Sequence, residues 1–323
     1  MDTIWLWIGF TVIIVGILAL DLGVLHRKAH ATSTKEAAVW VSVWVSLALL
    51  FCVGIFVWRG TDDGFAFLTG YVVEYSLSVD NVFVFVLLFA AFQIPPAYQH
   101  RVLFWGIVGA VVMRAAFILV GATLLNTFHW MIFVFGGFLV YTGIKLAFAK
   151  GEMNPQENPV FKLIFRFLPV TREQEEQKFF IVRNGRRLAT PLFITLVAIE
   201  TTDVIFALDS IPAIFGITTD PFLVYTSNIF AILGLRALYF LLAGAIANFH
   251  YLKPALAVIL SFVGAKMLLS EWVHLESYVS LSVIMGVLVV AMIASIQWSK
   301  RHPGAGVRHE VAGGVHGAEP RHP

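Results

Sequence analysis

Residues 200–212 read Glu-Thr-Thr-Asp-Val-Ile-Phe-Ala-Leu-Asp-Ser-Ile-Pro, inside an apolar run that extends from about residue 190 to 216. Glu200, Asp203 and Asp209 therefore fall within a stretch long enough to cross a hydrocarbon core of about 30 Å at 1.5 Å per residue. Residues 74–81, Glu-Tyr-Ser-Leu-Ser-Val-Asp-Asn, carry the same pattern in an earlier apolar run: an acid, five residues, then an aspartate and a small polar residue, as in Asp203 through Asp209 and Ser210. One such match is weak, but it continues. Arg114 corresponds to Arg236, and Gly143-Ile-Lys145 to Gly264-Ala-Lys266, with Arg-to-Lys separations of 31 and 30 residues. Common order and spacing predict two copies of a three-helix unit. An odd number of spans per unit inverts the second copy, the plan of many secondary transporters whose substrate site lies at the midplane between repeats.

Composition sets the solvent. With 59% hydrophobic and 13% charged residues in 323, and a mean hydropathy of +0.83, the chain cannot coat a soluble globule of this size with polar groups. The fold class expected is all-α and polytopic, with about nine transmembrane helices at 4–25, 37–58, 64–92, 101–125, 129–149, 190–216, 222–248, 254–271 and 277–298. The organisation follows: two N-terminal helices in 1–62, the first repeat (spans 3–5) in 63–149, a cytoplasmic loop at 150–189, the second repeat (spans 6–8) in 190–272, a last helix in 273–299 and a Gly/His-rich disordered tail at 300–323. The first span opens on Asp2 without a basic region or a small-residue cleavage site, so it is expected to be retained. The one cysteine, Cys52, excludes a disulfide framework and a thiolate cluster.

Basic residues set the orientation. With the N-terminus outside, seventeen of the 22 Lys and Arg fall in inner segments and only Arg59 in an outer one, which predicts a multi-pass protein of the bacterial inner membrane with a cytoplasmic C-terminus. Trp58, Trp130, Trp272 and Trp298 lie near span ends, where amphipathic rings prefer to sit. In loop 150–189, Pro159 starts a candidate surface helix and Asn184-Gly185 reads as a hairpin turn. Scattered tail histidines such as His309 and His316 carry no ligand spacing.

Charges inside the spans carry the chemistry. Glu74, Asp80, Glu200, Asp203 and Asp209 make five acids against Arg114, Lys145, Arg236 and Lys266, and Asp21 at the end of the first span adds a sixth. Glu74, Asp80, Arg114, Glu200, Asp203, Asp209 and Arg236 fall in span interiors, where each would cost about 2.5–3.5 kcal/mol facing lipid, so they face each other or water. The structural alternative is a set of ion pairs that only hold the bundle together. The excess of acids favours a cation or proton site, because uncompensated buried carboxylates must be protonated or neutralised. Six residues along a helix separate Asp203 from Asp209, and Glu74 from Asp80, by about 120°. Convergence would need a break, and Pro212 predicts one in the sixth span; in the third, Ser76, Ser78 and Asn81 would have to compete with the backbone. The donors are carboxylates, the Asn81 amide, the Ser210 hydroxyl and carbonyl groups, an oxygen set suited to Mg²⁺, Ca²⁺ and Mn²⁺.

These motifs, with Ser227-Asn228 through Arg236, Asp21-Leu-Gly-Val and Gln99 through Gly106, resemble the TerC family of bacterial integral membrane proteins, which includes the Alx proteins, within the wider LysE-like transporter group. The resemblance covers about residues 4–298. It implies export of Mn²⁺ for metal homeostasis, with an older association with tellurite resistance. Carried over residue by residue, it implies a metal-facing set of Glu74, Asp80, Asn81, Glu200, Asp203, Asp209 and Ser210, with Asn228 as a further ligand and Arg114 and Arg236 as charge partners or gates. No permanently bound cofactor is expected; Mn²⁺ is substrate, the bilayer is the medium, nucleic acid is not a partner, and loop 150–189 is where protein partners would dock. The rival function is a non-transporting scaffold of a metal or tellurite stress-response complex. An enzyme is not expected, since no nucleophile–base pairing or His-Glu-x-x-His motif occurs.

Overall fold

The structure is a computed structural model that describes residues 2–20, 33–128, 130–148, 171, 177–183, 186–243, 251–273 and 275–301. Asp21, the segment after Pro159, Asn184-Gly185 and the tail from residue 302 lie outside the described residues. Helix dominates: α1 (Asp2–Leu20), α2 (Thr34–Arg59), α3 (Thr61–Ala91), α4 (Pro96–Thr127), α5 (Met131–Phe148), α6 (Pro191–Phe215), α7 (Pro221–Leu233), α8 (Leu235–Leu242), α9 (Leu252–Leu268) and α10 (Ser277–Arg301). Among the described residues, seven stretches are long and apolar enough to span a bilayer, with α7 and α8 together forming one of them. The other two expected spans coincide with α1, whose apolar stretch is Leu6–Ile17, and with α9, at 17 residues. Exposed Val and Leu side chains such as Leu50, Val57, Val112 and Val290 belt the outside, a surface that only lipid tolerates.

Local sequence starts these helices where the site needs them. Thr190 caps α6 by accepting from the Phe193 N–H at 3.4 Å, with Pro191 at the first helical position. Asp220 caps α7 in the same way, accepting from the Phe222 N–H at 2.8 Å ahead of Pro221, and it also pairs with Arg59 at the end of α2. Strands β1 (Phe180–Arg183) and β2 (Arg186–Ala189) pair antiparallel with Arg183 opposite Arg186, flanking the expected turn.

Two expectations about helix breaks are corrected. Pro212 lies inside an unbroken α6. It stands three residues before the last helical residue, so the hydrogen bond it forfeits belongs to a ladder about to end, and Gly216 N–H still donates to the Pro212 carbonyl at 3.0 Å. Helix α3 also runs unbroken past Asp80; the Ser76 hydroxyl donates to the Val72 carbonyl at 2.6 Å without displacing the backbone. The one interruption among the described spans falls at Gly234, whose φ of −74° and ψ of −16° carry the chain from α7 into α8 in the right-handed helical region.

The bundle centres on α7 and α8, where residues 222–239 are all buried. Helix α4 packs on α6, α3 on α7, and α5 on α9. The last pair is the closest, and glycine makes it so. A Cβ at Gly264 would lie 2.7 Å from the Gly136 carbonyl oxygen and 2.8 Å from the Val140 nitrogen; one at Gly143 would lie 2.8 Å from the Ala257 oxygen and 2.9 Å from the Ser261 nitrogen. Backbone cannot yield as a flexible side chain does, so close helix contact requires glycine at these points. Gly264→Ala is expected to destabilise the protein by about 1–3 kcal/mol through overpacking. Gly286→Ala, with nothing within 4 Å, should stay within about 0.5 kcal/mol of wild type. Thermal unfolding of both variants in detergent checks the contrast.

Candidate functional site

The chain's apolar helices bring their charged groups to one point. Arg114 on α4 is 1% exposed and meets Glu74 from α3, Asp203 and Ser210 from α6, and Asn228 from α7. Its Nε and Nη2 donate to the two oxygens of Asp203 at 3.3 and 3.0 Å, a bidentate clasp. Its Nη1 donates to Glu74 Oε1, to Asn228 Oδ1 at 2.7 Å and to Ser210 Oγ at 3.3 Å. Asn228 closes the ring by donating Nδ2 to Glu74 Oε2 at 3.3 Å. Two carboxylates thus face one guanidinium, and with both ionised the cluster keeps one negative charge in excess. A guanidinium stays protonated in proteins and a buried charge must be paired, so these four helices are tied through Arg114.

The remaining expected residues separate around it. Asp209 turns to α5, where the Thr142 hydroxyl donates to its Oδ1 at 3.2 Å. Because α6 is unbroken, the six-residue offset keeps Asp203 and Asp209 about 120° apart, and they contact different helices. Glu200 precedes Asp203 by one turn and lies against Gly109 of α4: a Cβ there would come within 2.0 Å of Glu200 Oε1. Its Oε2 is buried with no hydrogen-bond partner among the described residues. Arg236 and Asp203 line a cavity of about 10 Å³, room for roughly one water, with Gly106, Ala110 and Ile199. Asn81 is buried on α3, and Asp80 lies on the same helix with its side chain outside the described residues. No group of three or more His, Cys, Asp or Glu side chains among the described residues is arranged to hold a metal ion.

The structure therefore gathers Glu74, Arg114, Asp203, Ser210 and Asn228, and sets Asp209 and Glu200 on opposite sides of α6. Thr142 and Gly109 enter the site unannounced. A hydroxyl within an apolar span was the only signal for Thr142; for Gly109 there was none, since its role is the space it leaves. Gln99, from the motif that opens α4, accepts from the Tyr239 hydroxyl at 2.8 Å and ties the start of α4 to α8.

Long apolar helices around a charged interior define a polytopic α-helical integral membrane protein. The profile of the integral membrane protein TerC family matches residues 59–303. Membrane protein STKORF319 of Myxococcus xanthus is 52% identical over 92% of this chain and 94% of its own. A protein of Escherichia coli K12 described as a candidate membrane-bound redox modulator, Alx, is 46% identical over 92% of this chain and 96% of its own, and the Salmonella typhi protein of the same description is 47% identical over 89% and 92%. No solved structure matches. The chain belongs to the TerC family.

Breaking the clasp from one side should be worse than removing both partners. Arg114→Gln alone leaves buried carboxylates unpaired and is expected to cost about 3–5 kcal/mol. Asp203→Asn alone leaves Arg114 short of its bidentate partner. The Arg114→Gln/Asp203→Asn double variant should then be less destabilised than the sum of the two, by about 0.5–3 kcal/mol of coupling, measured by unfolding in mixed micelles.

Proposed function

We propose that this protein is a transporter of divalent metal cations, with Mn²⁺ export for metal homeostasis as its work. The observation that carries this is the convergence of Glu74 and Asp203, from two different apolar helices, on one buried point with Ser210 and Asn228. Two carboxylates, a hydroxyl and an amide oxygen form a hard oxygen set, of charge −2 when both acids are ionised, matched to a divalent ion of the Mg²⁺, Ca²⁺ or Mn²⁺ kind. Membership of the TerC family and its resemblance to metal exporters support Mn²⁺ among these.

The packing supports an inverted-repeat carrier. Exchanging α3, α4 and α5 for α6, the α7–α8 span and α9 turns the α4–α6 contact into the α3–α7 contact and maps the α5–α9 contact on itself. At that crossing the Gly143–Ala257 and Gly264–Gly136 approaches exchange as well. Such an arrangement lets one half rock against the other about a midplane site. The basic residues support an N-out, C-in orientation in the bacterial inner membrane. The relatives' description as redox modulators does not lead to a dithiol couple within this chain, which has the single cysteine Cys52, buried and donating to the Gly64 carbonyl.

A structural role for the network is the second reading, favoured by the way Arg114 and Asn228 between them satisfy both acids. Flux separates the two. Purified protein in liposomes enclosing a Mn²⁺-quenched dye is expected to pass Mn²⁺, with Mg²⁺ and Ca²⁺ as competitors. Glu74→Gln, Asp203→Asn and Asp209→Asn should each lose more than about tenfold in rate, the loss that even an outer-shell partner of a metal causes. Folded variants that carry Mn²⁺ at the wild-type rate would leave the network a structural role only.

A further inference from the structure

Arg114 occupies the oxygen atoms that a divalent ion would need. Both oxygens of Asp203 accept from the guanidinium, at 3.3 and 3.0 Å, and Glu74 Oε1, Asn228 Oδ1 and Ser210 Oγ all accept from Nη1. The only other carboxylate oxygen of the pair, Glu74 Oε2, accepts from Asn228 Nδ2 at 3.3 Å. Metal–oxygen bonds run at about 2.0–2.6 Å, so an ion shared by Glu74 and Asp203 would stand where the guanidinium stands. The two occupants exclude each other.

We propose that Arg114 is a built-in substitute cation: it fills the site of the empty carrier, and substrate metal binds only when the guanidinium withdraws. This rests on the transport reading above. The charges fit such an exchange. With both acids ionised, Arg114 meets the −2 of Glu74 and Asp203 with +1, whereas a divalent ion meets it in full. An arginine suits the task because it holds its proton and offers five donors in a planar fork, so the acids are paired when no metal is bound. A carrier whose site is always filled avoids presenting a bare pair of carboxylates to the bilayer interior. The arrangement also confers selectivity by valence, since a monovalent ion replacing the guanidinium gains no charge neutralisation over it.

The consequence is measurable as a tax on affinity. When the metal-competent state is populated at roughly 1–10% of the empty protein, the apparent affinity is weaker than the intrinsic one by about 10–100-fold. Removing the competitor removes the tax. Mn²⁺ binding to the full-length protein in detergent, followed by loss of the free-ion EPR signal, is expected to tighten at least about tenfold in Arg114→Gln. Arg114→Lys, which keeps the charge but has three donors and no planar fork, should fall between the two. Glu74→Gln/Arg114→Gln should lose the gain, which assigns it to this site. If Arg114→Gln folds only with Mn²⁺ supplied during purification, that dependence is itself the expected result, and Arg114→Lys gives the affinity comparison. Binding in Arg114→Gln and Arg114→Lys that is no tighter than wild type, or weaker, overturns the proposal and makes Arg114 a residue that positions the ligands. Wild-type flux together with unchanged binding in these variants would overturn this inference alone; tighter binding in Arg114→Gln with no wild-type flux would overturn the transport reading and leave a cation site.

Discussion

A guanidinium that cannot shed its proton, held at 1% exposure inside a bundle whose outer face is apolar, has to be met by acids from the helices around it. Arg114 is that group, and much of the interior follows from it. Glu74 comes from α3, Asp203 and Ser210 from α6, and Asn228 from α7, so the one side chain fixes the relative rotation of four helices. Helix association in lipid has no hydrophobic drive of its own, and packing with polar contacts must supply the specificity. Here the polar contact lies at the centre, next to the fully buried stretch 222–239.

The second constraint is steric. At the α5–α9 crossing the backbones approach so closely that glycine at 143 and 264 is dictated by neighbouring backbone oxygen and nitrogen atoms. This contact does for the periphery what Arg114 does for the centre: it fixes a pair of helices that share few polar groups. It also places Thr142, one residue before Gly143, beside Asp209 on α6. The acids of α6 are thereby distributed, Asp203 to α4, Asp209 to α5 and Glu200 against Gly109, in the order that 100° per residue imposes on an unbroken helix.

That distribution bears on what the site does. A broken α6 would have turned Asp209 toward Asp203 and offered free carbonyls as ligands; an intact one keeps them on separate contacts and leaves Glu74 and Asp203 as the pair that meets. The oxygen atoms that meet at Arg114 come from Glu74, Asp203, Ser210 and Asn228, four residues of the wider set that the motif implied. The arginines change meaning with it. They read as partners that tune or gate, whereas Arg114 takes the position that a bound ion would take, and Arg236 borders Asp203 across a cavity of about 10 Å³.

Much of this was legible in the chain itself. Apolar runs of bilayer length gave the helices, and charges stranded in those runs named the interior residues. The matched spacings set Glu74 and Asp203 at equivalent positions of the two copies, as they did Asp80 and Asp209. Which acid meets which base was not legible, nor was the continuity of α6 through Pro212, nor the niche at Gly109, nor the Thr142–Asp209 contact. The reason is physical. Sequence fixes the azimuth of a side chain on its own helix, through a period of 3.6 residues, and it fixes whether that helix can lie in lipid. The neighbour facing that azimuth depends on how helices far apart in the chain cross and rotate, and only the packed structure decides it.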